Sequence, residues 1–339
     1  MRATHSNSQK NDPMLIPTIW RIDVEPDEHQ PSVGQEPWTG FVGMAELVDR
    51  VRLRLGDRSG RAPCPTWMLR MDPDIERCFG RLDFVVHRHA DVLDQLTARN
   101  DRLGIHVHAY RWNSEQAVTY SDYADADWPA HCLRVAAEAF AGAFGEPARV
   151  SSQGGYLLTE PLLNVCAELG ITVDLTAEPG QAALLHDPAF GEYATAPSTS
   201  FVDFPRRPYY PSRGDIRVPA PSPADAQPVL IVPLTAYDYR SVLRPWHRQI
   251  AHTLLGRSRL HSPLSPWKPW PSPKVFWDLM SRAVDEQPAC YLALATRTDD
   301  PASEWHQRAW ELFEYLPSHP LAERLQFVDP LGAEIQALA

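Results

Sequence analysis

No apolar run in this sequence approaches the roughly 20 residues that span a bilayer as a helix. The first dozen residues, Met1 to Asp12, are polar and hold no apolar segment of the kind that directs export, so a cytoplasmic protein is expected. No run of Lys or Arg of any consequence occurs either, and the formal net charge is −11. Nucleic acid and anionic membrane both require a basic patch, so neither is an expected partner. Cysteine is sparse: Cys64, Cys78, Cys132, Cys166 and Cys290 are scattered, odd in number and never in Cys-x-x-Cys spacing. That pattern excludes a disulfide frame and a structural zinc site and leaves reduced, mostly buried thiols. There is no internal repeat and no low-complexity run. The partner class that remains is a small molecule or an oligosaccharide.

Against these absences stands one dense stretch. Leu15, Ile16, Ile19, Trp20 and Ile22 form a short apolar run that reads as a strand buried on both faces. It ends in Asp23-Val24-Glu25-Pro26-Asp27-Glu28-His29, four carboxylates and an imidazole within seven residues. Alternation along a strand puts Asp23, Glu25 and Asp27 on one face, unless Pro26 turns the chain out. Either way the acids gather at the C-terminal end of a strand, where α/β folds collect ligands and catalytic groups. A second apolar strand, Arg102 to Trp112, carries His106 and His108. Two residues apart on a strand, both imidazoles point the same way and suit one divalent cation. Imidazole with carboxylate is the ligand mix of zinc and its first-row neighbours. Val86-His87-Arg88-His89 has the same spacing but passes into a helix, where residues two apart diverge, so it is not expected to bind metal.

The order of these pieces resembles the polysaccharide deacetylase family, metal-dependent hydrolases of N-acylated sugars built on a distorted barrel of β/α units. Asp23-Val-Glu25-Pro-Asp27 is similar to a variant of the family's first-strand motif, and His106-Val-His108-Ala-Tyr110 to its histidine motif. Ser152-Gln-Gly-Gly-Tyr156, the helix after it and Gly170-Ile-Thr-Val-Asp174 resemble later segments. The resemblance implies a distorted (β/α)7–8 barrel, with Asp23 as general base and His106, His108 and an acid from Asp27 or Glu25 holding the metal. It further implies zinc, with cobalt, nickel, manganese or iron as alternatives. Glu25 and Tyr110 are candidates for the metal's surroundings, and Arg70, Trp112, Tyr156, Tyr209 and Arg297 for substrate binding. The chain departs from the family where Tyr110 stands in place of a second histidine, Ser152 in place of an arginine, and Arg297 in place of a late histidine that protonates the leaving group; His29 is the remaining conjecture for that task. Two other readings stay open: a hydrolase of a non-sugar amide, imide or ureide, and a catalytically degenerate member that binds a carbohydrate or partner.

Taken in order, 339 residues are an ordinary length for one barrel, so a single domain is expected over 13–339, with 1–12 a flexible tail. Gln30 to Gly40 reads as a lid loop. Phe41, Met44, Leu47, Val48, Val51 and Leu55 mark an amphipathic helix closed by Gly56. Pro65 to Asp72 is the next strand, the segment beyond Trp112 is irregular, and a helix runs from Pro129 to Phe144 with Gly145 past its end. Residues 177–227 lose periodicity and fill with proline, a long connection whose Tyr209 and arginines suit a sugar face or an anion. Strands at Val229–Leu234, Cys290–Leu294 and Leu325–Val328 and a helix near Ser303–Leu316 complete the pattern.

Overall fold

The structure, a computed structural model, describes residues 14–34, 38–59, 62–187, 192–239, 262–266, 268–286 and 291–339. Trp267, Cys290 and Arg240 therefore lie outside the described residues, as does the N-terminal tail. Strands β1 (Ile16–Val24), β2 (Thr66–Arg70), β3 (Arg102–Val107), β4 (Val150–Gln153), β5 (Val173–Asp174), β6 (Leu230–Ile231), β7 (Leu292–Arg297) and β8 (Leu325–Phe327) make one parallel sheet. Its order is β6-β5-β4-β3-β2-β1-β7, with β8 beside the start of β1. Beyond β6 the chain meets β7 through single bonds instead of a ladder: the Tyr291 hydroxyl donates to the Pro233 carbonyl at 2.7 Å and the Thr235 N–H to the Ala293 carbonyl at 2.9 Å. The curled sheet is the distorted (β/α) barrel that the sequence led one to expect.

Alternation along each strand sorts the side chains into two populations. On β1, Trp20, Ile22 and Val24 point outward into the layer shared with the helices, while Ile19, Arg21 and Asp23 take the other face. Trp67, Leu69, Ile105, Val107, Leu292 and Leu294 likewise pack outward. Inside, Ile19, Met68, Val150, Val173, Leu230 and Ala293 form a separate apolar plug. The lower half of the barrel is thus filled with hydrocarbon, and the inward positions nearer the C-terminal ends are charged.

Helices α1 (Thr39–Ser59), α2 (Pro73–Phe79), α3 (Phe84–Arg88), α4 (Ala90–Ala98), α5 (Asp127–Phe144), α6 (Glu160–Glu168), α7 (Pro273–Glu286) and α8 (Glu304–Tyr315) lie outside the sheet. The six apolar positions read on α1 are all buried, but the helix runs on through Gly56. A lone glycine costs a helix about 1 kcal/mol and does not end it without a left-handed turn. Gly145 does adopt that turn, with φ 74°, and caps α5. Trp20 stacks on Phe313 of α8 with ring centroids 3.9 Å apart, tying the first strand to the last long helix.

Two expectations are corrected. The segment after Tyr110 is an antiparallel hairpin, Tyr110–Asn113 with Val118–Ser121. The proline-rich 177–227 connection carries two more small ladders, His186–Asp187 with Glu192–Tyr193 and Pro211–Ser212 with Asp215–Pro219. Strands of two to five residues are too short to print an alternation that a reader of sequence can detect. Cys64, Cys78, Cys132 and Cys166 are free thiols, three of them buried. No helix among the described residues is long and apolar enough to cross a membrane.

Candidate metal centre

The inward parity of β1 and β3 brings the two chemically loaded stretches to one place. Asp23 pairs in register with Met68 of β2, Arg70 with His106 of β3, and His106 with Ser152 of β4. Glu25, His106 and His108 are 2–3% exposed, and one ligand atom from each lies within 4.8 Å of the other two. The His106 and His108 Nε2 atoms are 3.0 Å apart, His108 Nε2 is 3.3 Å from Glu25 Oε2, and His106 Nε2 is 3.6 Å from Glu25 Oε1. Donors on a tetrahedron with bonds of about 2.1 Å sit about 3.4 Å from one another. The two histidine nitrogens and the Glu25 carboxylate, which faces each of them with a different oxygen, lie near that spacing, so the three residues could hold a cation.

Protonation states agree with this fit. Ser152 Oγ donates to Asp23 Oδ1 at 3.2 Å, so its oxygen is left to accept from His106 Nδ1 at 2.8 Å. The His106 proton then sits on Nδ1 and the Nε2 lone pair faces the cluster, the second-shell arrangement that orients a ligating histidine. Burial pulls the His106 pKa down to about 4 against the opposing pull of Asp23 and Glu25, leaving the ring neutral. Burial also works to raise Glu25, but Arg297 and His108 outweigh it and hold the carboxyl well below its ordinary value. Neutral imidazole and ionised carboxylate are the forms a metal takes.

Supports surround this core. Arg70 is fully buried, bonded to Asp72 at 2.8 Å and facing Glu25 and Asp74 at 3.4 Å each. Asp72 in turn accepts the His108 backbone N–H at 3.0 Å and caps α2, locking the end of β3 to β2. Gly154 leaves space that His108 fills: a Cβ there would lie 2.2 Å from the imidazole. Tyr110 stacks on His108 with centroids 4.5 Å apart, and its hydroxyl meets His29 Nε2 at 2.9 Å. A small cavity of about 70 Å³ opens among these groups, lined also by Arg21, Tyr156, Glu178 and Arg297.

Four expectations move. Asp27 stands apart from the cluster: its carboxylate accepts the N–H groups of Thr39 and Gly40 at 3.0 and 2.7 Å and the Thr39 hydroxyl at 2.5 Å, so it anchors the start of α1. Pro26 ends the alternation that placed it with Asp23, and Glu25 is the acid in the cluster. Arg70 has no surface for a substrate, because three carboxylates enclose it and hold its pKa above the ordinary value despite burial. Tyr209 is buried and donates to the Ile216 carbonyl at 2.7 Å, away from the cavity. Trp112 is exposed on the hairpin and stacks under Arg77, 4.4 Å from its ring centroid, not at the cavity wall. Tyr156 and Arg297 do line the cavity, Tyr156 in a left-handed backbone with φ 59°.

Two residues that the sequence reading missed are also here. Arg21 donates to Asp23 Oδ2 at 2.8 Å and to the Leu175 carbonyl at 2.5 Å, supplying beside Asp23 the cation absent at Ser152. Its place two residues before Asp23 on the same strand face was a usable signal. Glu178, four residues past β5, carried no local signal at all.

No sequence-family profile matches the chain, and no curated protein matches it. Solved structures do. A Parabacteroides distasonis protein named a glycoside hydrolase/deacetylase superposes with TM-score 0.55 and 12% identity over 94% of this chain and 70% of that one. A Mycobacterium smegmatis protein named a polysaccharide deacetylase superposes with TM-score 0.50 and 11% identity over 96% and 92%. A 4-alpha-glucanotransferase from Thermococcus litoralis gives TM-score 0.48 and 12% identity, and this chain spans 41% of its length. The chain has the fold of the polysaccharide deacetylases.

Proposed function

We propose that this protein is a metal-dependent hydrolase of an amide-type C–N bond, acting on an N-acylated sugar or a related small molecule. The observation that carries the reading is the convergence of Glu25, His106 and His108 with donor spacings of 3.0 to 3.6 Å. These three residues would hold a divalent cation, zinc first among the candidates. Such an ion supplies Lewis acidity, polarising a carbonyl and making water a nucleophile at neutral pH. Asp23, on the cavity wall and held in orientation by Arg21 and Ser152, is the group proposed to take the proton of the attacking water. Arg297 and Tyr156, on the cavity wall, are the groups proposed to meet the substrate. The small cavity favours a short acyl group. A non-sugar amide, imide or ureide meets the same requirement, and substrate profiling separates the two.

The test is elemental analysis of the purified protein together with acetate release from N-acetylated sugars and a panel of small amides. One equivalent of metal and metal-dependent turnover support the reading. Stoichiometric metal with no turnover on any C–N substrate would reduce the chain to a binding member of the fold.

A further inference from the structure

Hydrolysis of an amide needs a proton on the departing nitrogen as well as a base for the water. Asp23 is already committed to Arg21 and Ser152 on the water side. His29 is held otherwise: Arg297 can only donate, so His29 Nδ1, 2.5 Å from its guanidinium, must accept, and the ring's proton sits on Nε2 toward the Tyr110 hydroxyl. Both ring nitrogens are thus engaged, one with Arg297 and one with Tyr110. Asp174 is saturated by Ser151 and by the hydroxyl and N–H of Thr176.

Resting on the hydrolase reading, we propose that Glu178 is the catalytic acid, giving its proton to the leaving nitrogen. It is 4% exposed and lines the same cavity as Asp23, Glu25, His106 and His108. Among the described residues nothing forms a hydrogen bond with its carboxyl group. The charges that face it are Arg21 and Asp23 from β1 and Lys268 from the connector before α7. Burial dominates and lifts its pKa to about 7, while Arg21 and Lys268 oppose the rise and Asp23 adds to it. In the step, water's oxygen bonds to the carbonyl carbon as its proton passes to Asp23. The C–N bond then breaks, its electron pair stays on nitrogen, and nitrogen takes the proton from Glu178. Amine and acid leave, and the proton on Asp23 restores Glu178 through water.

Leaving-group dependence tests this. Zinc-loaded wild type, Glu178→Gln and Glu178→Asp are compared on triacetylchitotriose, whose amine must be protonated, and on 4-nitrophenyl acetate, whose phenolate departs unaided. Glu178→Gln should lower acetate release from the sugar by about 10²–10⁴-fold while ester cleavage stays within about threefold, with Glu178→Asp between the two. Equal loss on both probes, or none on the sugar, overturns the proposal and leaves the hydrolase reading standing. Cleavage by the wild type of neither probe, nor of any member of the small-amide panel, overturns both. Independently of activity, the metal-free protein should show an infrared carboxylic C=O band at pH 6 that fades as pH rises through about 7 and is missing in Glu178→Gln. A silent difference spectrum overturns the assignment.

Discussion

His106-Val107-His108 and His87-Arg88-His89 share a spacing and differ in the backbone that carries them. His106 on β3 and His108 just past its end bring their Nε2 atoms to 3.0 Å from each other. In the other pair, His87 lies in the last turn of α3 and His89 separates that helix from α4. His87 is solvent-facing with its Nε2 3.1 Å from Asp83 Oδ2, while His89 packs edge-on against Phe41 with centroids 5.5 Å apart. A period of two makes i and i+2 neighbours, and a period of 3.6 turns them apart. The surroundings differ as much. The first pair has a carboxylate between strand ends and a serine relay that sets a tautomer; the second has neither. Spacing becomes chemistry only when the local period and a third group agree with it.

The contrast breaks most sharply under substitution of the donors. His106→Ala or His108→Ala should abolish stoichiometric metal, a loss larger than the roughly 10–100-fold typical of removing a supporting hydrogen bond. The His87→Ala/His89→Ala double variant should keep full metal content. Elemental analysis and calorimetric titration of all three decide it, and equal losses would dissolve the distinction. Asp23→Asn should retain metal and lower amide hydrolysis by about 10²–10⁴-fold, read as kcat on the same probe.

A pH effect comes next. The pKa of Glu178 rises from 4.5 to about 7 on folding, so the folded state binds the proton more tightly and stability drains away as pH climbs from 4.5 through 7, by on the order of 3 kcal/mol. Glu178→Gln lacks that slope, and denaturant melts should show the variant gaining on wild type toward pH 8. Ser152→Ala should weaken metal binding by about 10–100-fold, because it removes the relay that fixes the His106 tautomer. The smallest pair concerns glycine. Gly154→Ala should displace His108 and reduce metal affinity, whereas Gly142→Ala in α5, with open space around it, should stabilise by about 0.5–1 kcal/mol and leave metal binding untouched.

Much of the site was legible because it is built on strands. Asp23 and Glu25, His106 and His108 are two apart, and alternation needs no tertiary knowledge to put each pair on one face. Asp27 was misplaced for the same reason in reverse: Pro26 ends the strand, and beyond it parity says nothing. Arg70 and Tyr209 have the right chemistry for a ligand, but their burial depends on Asp72, Asp74 and Ile216 reaching them, which no linear pattern displays. Glu178 sits where periodicity fails, in a turn whose only specification is the fold around it.

The sequence by itself determined the β/α succession, the inward face of the first and third strands and the residue types that meet there, since these follow from side-chain period and apolar content. Tertiary structure alone decided which acid joins the histidines and that Glu178 is desolvated in the same cavity. Those are matters of distance between segments far apart in the chain and of exclusion of water, and both arise only when the sheet curls and its helices close over it.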